Sequence, residues 1–313
     1  MKRFIYLLIL TTSIYAEEAH VVDLDRFNIY LKVDADGDVN PSVVIPIDWG
    51  DFYSAVGYES KLAIVHTDLG AEYAPSKYLT EGRSKYFWLD VIGSHMNFED
   101  SYFSYSFTVG YRDMEILQYG YFHLTDPTTL DKETMAVDIT KNLKMYSTGL
   151  YLDYTYKNLF DRLSFRVSTH VYPYSYLKVN ESVAYMPLIP EVGKGESSQR
   201  QDISYDINLD MVIRIISSLS LGISAQYEYL PYKYTSLVPR TDALAYHYTD
   251  TQDNATTKSA GVRLLFSKFS FVGIEPVIGY ERSVLSVESL YEGITSTETS
   301  KSNNYMFGFE KKF

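Results

Sequence analysis

Residues 202–214, DISYDINLDMVIR, decide how this chain folds. Ile203, Tyr205, Ile207, Leu209, Met211 and Ile213 fall on one side of a two-residue repeat, and Asp202, Ser204, Asp206, Asn208, Asp210 and Arg214 fall on the other. A period of two is the period of a β-strand, whose side chains point alternately to opposite faces. One face of this strand is greasy and the other charged.

The rule extends outward in both directions. Leu219, Leu221, Ile223, Ala225, Tyr227 and Tyr229 oppose Ser218, Ser220, Gly222, Ser224, Gln226 and Glu228. Leu163, Phe165, Val167 and Val171 oppose Ser164, Arg166, Ser168 and His170, and Leu150, Leu152 and Tyr154 oppose Gly149, Asp153 and Thr155. Phe103 to Tyr111 repeats the pattern against Ser104 to Arg112. A soluble sandwich alternates too, so connections and lengths carry the decision. The alternating runs reach ten residues or more, longer than ordinary strands. Short links near 97–100, 158–161, 215–217 and 267–268 take turns with long polar links expected at about 126–140, 179–200, 237–257 and 284–304. Short turns at one rim and long loops at the other describe a transmembrane barrel.

Composition narrows the classes further. The 313 residues include 31 Tyr and 16 Phe but 2 Trp, and 40 acidic residues against 28 basic give a formal charge of −12. Nothing here would neutralise a phosphate backbone, so no nucleic acid is expected as partner. The chain has no cysteine, which removes disulfides, thiolate nucleophiles and zinc–thiolate sites. Lys2 and Arg3, the apolar run Phe4 to Ile14, and Ala16 before Glu17-Glu18 read as a secretory signal peptide over residues 1–16, leaving 17–313 as one barrel domain.

Tyr305, Phe307, Phe309 and the terminal Phe313 share one face of the last segment. This ending resembles the C-terminal signature of Gram-negative outer-membrane β-barrel proteins, which in that family is read by the barrel-assembly machinery. Lys311 departs from the pattern, since the family usually places an apolar or aromatic residue there. The length is also similar to that of a solitary autotransporter-type barrel. The resemblance implies an all-β, closed antiparallel barrel in the bacterial outer membrane, with membrane lipid, lipopolysaccharide and the assembly machinery as partners. Counting strands back from the C-terminus gives ten, and two more upstream, around Phe27 to Val33 and Val43 to Trp49, make twelve. Ten and fourteen are the alternatives, fourteen arising if 101–122 is a hairpin turning at Arg112-Asp113.

If the apolar face meets lipid, the lumen receives Arg112, Asp153, Arg166, His170, Asp202, Asp206, Asp210, Arg214, Glu228, Arg263, Glu275 and Glu281. Such a mixed set either fills the interior as ion pairs or lines a narrow aqueous path, so the expected role is a porin-like channel or a structural barrel. The alternatives are a surface enzyme and a binding module built on 179–200 and 237–257. Barrel lipases and deacylases place Ser two residues after His, and omptin-type proteases place Asp two residues before it; none of the six His fits either spacing. Ser168 with His170 is the residual nucleophile–base pair, and no catalytic residue, metal ligand or cofactor is assigned. Asp34, Asp36, Asp38 and Asn40 resemble the start of a calcium loop, but Gly37 and Ile45 stand in the wrong places, and a hairpin turn explains the spacing. Gly193-Lys194-Gly195 has no strand-to-helix setting for a phosphate cradle. Tyr172, Tyr174, Tyr176, Tyr185, Tyr227, Tyr229, Tyr232 and Tyr234 are expected in an aromatic girdle at the lipid headgroups.

Overall fold

A computed structural model describes residues 27–35, 37–48, 53–67, 77–125, 132–159, 162–186, 189–239, 246–269, 274–291 and 294–311. The leader expected at 1–16 and the terminal Phe313 lie outside the described residues. The strands are β1 (Asn28–Val33), β2 (Val39–Asp48), β3 (Tyr53–Thr67), β4 (Lys77–Asn97), β5 (Ser101–Thr125), β6 (Lys132–Leu159), β7 (Leu163–Met186), β8 (Ile189–Gln201), β9 (Ser204–Ile216), β10 (Leu219–Pro239), β11 (Tyr246–Leu265), β12 (Ile274–Tyr291) and β13 (Ile294–Lys311). Neighbours in sequence pair antiparallel, β1 pairs with β13, and β6 pairs with β7, so the sheet closes on itself. β8 and β9 are two parts of one stave: β7 pairs Ser175 with Gln201 on β8 and Tyr172 with Ser204 on β9, across a break at Asp202 and Ile203. The barrel therefore has twelve staves. β5 runs unbroken through Arg112-Asp113, which removes the fourteen-strand alternative.

The outward rows are apolar for about the distance a tilted strand needs, roughly 9–11 residues. On β9 they run from Ile213 to Tyr205, beside Leu221 to Tyr229 on β10. Leu150, Phe107, Phe307 and Ile207 are exposed on this wall. A belt of aromatic rings ends the band at one height, with centroids 5.2 Å apart for Tyr111–Tyr146, 5.5 Å for Tyr205–Tyr229 and 5.9 Å for Tyr280–Tyr305. In hydrocarbon every backbone N–H and C=O needs an internal partner, and below this belt each strand pairs with both neighbours around the ring, with register shifts at Tyr53/Ala55, Val91/Ser94, Thr148/Leu150, Tyr156/Leu159 and Leu219/Ser220.

Above the belt the wall does not end. β5, β6 and β7 have 25, 28 and 24 residues, and the segments expected as long loops at 126–140, 179–200, 237–257 and 284–304 are largely strand. Their outward residues are mostly polar, as suits strands in contact with water, with Tyr119, Tyr248 and Leu290 exposed among them, so the unbroken apolar alternation that marks a membrane strand disappears while the ladder continues. β1 and β2 are the exception. They turn back at Asp34 to Asp38, where Val33 faces Val39 on β2 and Tyr305 on β13, at the level of the belt. Gly37, at φ 88°, supplies the left-handed residue of this turn. The Asp34 carboxylate accepts from the Asp38 N–H at 2.9 Å, so it serves as a turn cap.

Among the described residues, strand edges lose a partner above the belt in two places. β13 beyond Asn304 pairs with β12 alone and β3 beyond Glu59 with β4 alone, over the short β1–β2 hairpin. β10 beyond Tyr229 pairs with β11 alone. There the Gln201 side chain stands in for a strand, accepting from Lys233 N–H at 2.5 Å and donating to Lys233 C=O at 2.9 Å. Glu181 caps the Leu237 N–H at 2.6 Å, and Pro231 presents no N–H to be satisfied.

Candidate functional site, the barrel interior

The strand period that sends Leu150 and Leu152 outward sends Tyr151 and Asp153 inward, and the interior is built in three levels. Nearest the short-turn rim, Arg263 on β11 donates to Asp210 on β9 at 2.8 and 2.7 Å and to Glu310 on β13 at 2.7 Å. Tyr30 also bonds Glu310, and Arg166 grips Asp153. Val212, Leu265, Val277 and Met306 pack beside these pairs. A carboxylate and a guanidinium in this setting are stable because each satisfies the other in fork geometry.

At mid-height Arg112 on β5 reaches across the lumen to Glu228 on β10. Lys61 joins Glu228 at 3.4 Å to Glu59 at 3.1 Å, and Lys32 joins Glu59 at 3.6 Å to Glu281 at 3.1 Å. His170 sits between two acids, with Nδ1 3.0 Å from Asp206 and Nε2 3.6 Å from Asp90, against the rings of Tyr151 and Tyr172. Trp88 lies over Gly57, where a Cβ would stand 2.0 Å from the indole. These groups enclose a chamber of about 250 Å³ lined by Lys32, Glu59, Trp88, His170, Asp206 and Arg263 among others.

Above the chamber the polarity reverses. Met114, Leu143, Met145, Leu177, Val179, Leu230 and Tyr234 meet in an apolar cap that draws on both sides of the barrel. Lys141 lies over it, 3.3 Å from Glu181 and 3.3 Å from Tyr234 Oη. Burial alone would lower the Lys141 pKa; Tyr234 and Glu181 outweigh that and hold the ammonium above the usual lysine range.

The structure turns Arg112, Asp153, Arg166, His170, Asp206, Asp210, Glu228, Arg263, Glu275 and Glu281 inward. Asp202 does not join them: at the β8–β9 break it is exposed and pairs with Lys233 at 2.6 Å. Arg214 is exposed at the rim. Tyr305, Phe307 and Phe309 stand outward on the lipid face. Tyr174, Tyr176, Tyr227 and Tyr229 face outward, whereas Tyr172, Tyr232 and Tyr234 turn into the lumen or the cap, because a register shift in the β6–β7 pairing between Val171 and Tyr174 and the parity of β10 place them on the other face. The Tyr185 side chain lies outside the described residues. His170 is oriented by Asp206, an acid 36 residues away, which its Nδ1 hydrogen-bonds, while Nε2 faces the Asp90 carboxylate at 3.6 Å. Among the described residues no cluster of three or more His, Asp or Glu is arranged to hold a metal. The cap was hidden in sequence, although Leu143 and Met145 carry a signal: they are apolar on the phase opposite to Leu150 and Leu152.

A closed, even-staved antiparallel barrel with an apolar outer band, a tyrosine belt and a polar interior is an outer-membrane β-barrel. No protein-family model and no curated protein matches the chain. Solved structures with a similar fold include the Pseudomonas putida toluene transporter TodX, at 10% identity over 92% of this chain and 87% of that one, TM-score 0.43. The Ralstonia pickettii toluene transporter TbuX matches at 9% over 91% and 89%, TM-score 0.44, and a Pseudomonas aeruginosa FadL homologue at 11% over 90% and 86%, TM-score 0.41. At these values the likeness reaches neither cargo nor mechanism.

Proposed function

We propose that the barrel is a narrow outer-membrane channel for small polar solutes, entered from the side. The observation that carries this is the low wall at the β1–β2 hairpin. Above it a polar opening of about 80 Å³, lined by Asn40, Ser60, Ser300, Ser302 and Asn304, shares Lys32, Glu59, Gln226, Ser259 and Glu281 with the central chamber. The apolar cap closes the axial route, since a dry constriction excludes hydrated solutes. The charged chamber favours polar solutes over apolar ones. Passage toward the short-turn rim requires the Arg263–Asp210–Glu310 cluster to give way, so the conformation described is a shut one.

The absence of cysteine makes single-cysteine labelling clean. With Ser302→Cys in a planar bilayer, a bulky thiol reagent added on the side of the long strands is expected to abolish most of the stepwise current, and Met145→Cys in the cap is expected to resist modification. A folded protein that passes no current, or a current that survives labelling of Ser302→Cys, overturns the reading.

A further inference from the structure

The outer wall over β4 to β8 carries a cationic row directly above the tyrosine belt. Lys85, Asp113, Lys144 and Lys178 are successive cross-strand partners, three cations to one anion, on a chain whose net charge is −12. Lys144 and Lys178 face each other without an acid between them, and like charges directly opposite destabilise a sheet. Glu196 engages Lys178 at 2.6 Å. Lys144 makes no ion pair among the described residues. Arg200, beside Tyr176 in register, stacks over Tyr174 at 5.2 Å. Below it the β8–β9 break leaves an open concavity of about 690 Å³ on the same outer wall, lined by Pro173, Arg200, Gln201, Ile203, Tyr205 and Tyr229 and by Asp202, whose carboxylate is held by Lys233 at 2.6 Å. An apolar and aromatic recess at the belt, rimmed by cations one step higher, matches one occupant: a lipid with its chains in the bilayer and a phosphate in its headgroup.

We infer that this face binds a phosphate-bearing glycolipid of the outer leaflet, the phosphate resting on Lys144, Lys178 and Arg200 and the hydrophobic portion filling the recess at Ile203 and Tyr229. The anion then removes the repulsion between the two facing lysines. Among the described residues the far side of the barrel carries Lys258, Arg282 and Lys301 outward above the belt, the two lysines separated by Val284, with no recess beneath them like that at Ile203.

The test titrates diphosphorylated lipid A into the purified barrel in neutral-detergent micelles and follows binding by native mass spectrometry. Each cation removed is expected to weaken binding roughly fivefold, so that Lys144→Gln/Lys178→Gln/Arg200→Gln loses on the order of a hundredfold. Lys258→Gln/Lys301→Gln is expected to bind as the parent does, and dephosphorylated lipid A is expected to bind the parent and the triple variant equally weakly. Undiminished affinity in the triple variant, or equal binding of dephosphorylated lipid A to the parent, overturns the inference. Full displacement of the lipid by an equal concentration of inorganic phosphate also overturns it, assigning the patch to a free anion. Should the triple variant fail to refold, the parent decides alone: its affinity is expected to fall steeply with added salt, and a salt-independent affinity refutes the phosphate contact.

Discussion

Below the tyrosine belt the barrel is apolar outside and charged inside; above it, over β5 to β7, β10 and β11, the wall is largely polar outside and carries an apolar cap inside. The two halves share strands, and β6 carries both, with Leu150 outward and Asp153 inward in the lower half, then Lys144 outward and Leu143 inward in the upper. The switch needs no change in backbone, since the ladder runs through it. It follows from solvent alone: each half gives its apolar row to whatever is least like water, hydrocarbon below and the interior above. The same contrast explains where the ladder breaks. Unpaired strand edges occur over the β1–β2 hairpin and along β10 beyond Tyr229, both in water, and side chains such as Gln201 and Glu181 cap them.

Substitutions in each half should therefore fail for opposite reasons. The largest effect is expected from Arg263→Ala, which strands Asp210 and Glu310 inside the lower half; a loss of about 3–5 kcal/mol should appear in urea unfolding from lipid vesicles. Leu143→Ala in the cap removes apolar packing instead, and about 2–4 kcal/mol is the expected cost in the same assay. Leu150→Lys places a charge on the lipid face and should cost about 2–4 kcal/mol, while Asn142→Lys, outward on the same strand above the belt, should stay within about 0.5 kcal/mol. Equal costs for these last two would erase the division drawn at Tyr146. Gln201→Ala is expected to cost about 1 kcal/mol, less than either core substitution, with faster amide exchange at Lys233 as the local signature.

The same division marks how far the sequence could be read. The lower half was legible because a lipid-facing strand must keep one apolar row, as residues 203–213 do. The upper half was not, because a strand in water beside an established ladder needs no such row: residues 295–302, TSTETSKS, pair with β12 although both faces are polar. Inward direction followed from parity for Arg112 and Glu228, but their contact spans 116 positions and depends on barrel closure, which no local pattern encodes. Asp202 was misplaced for a related reason, since the break that turns it outward exists to let β8 and β10 part company.

The height of the β1–β2 hairpin is set by its turn, in which Gly37 supplies the left-handed residue and Asp34 the cap. Lengthening both arms by two residues would add a rung to the fence at its lowest point and shade the opening behind it without touching one residue of the lumen. If the proposed side entry is the route, permeability follows the length of a single surface hairpin, a property that insertions and deletions can adjust while the membrane-embedded staves stay as they are.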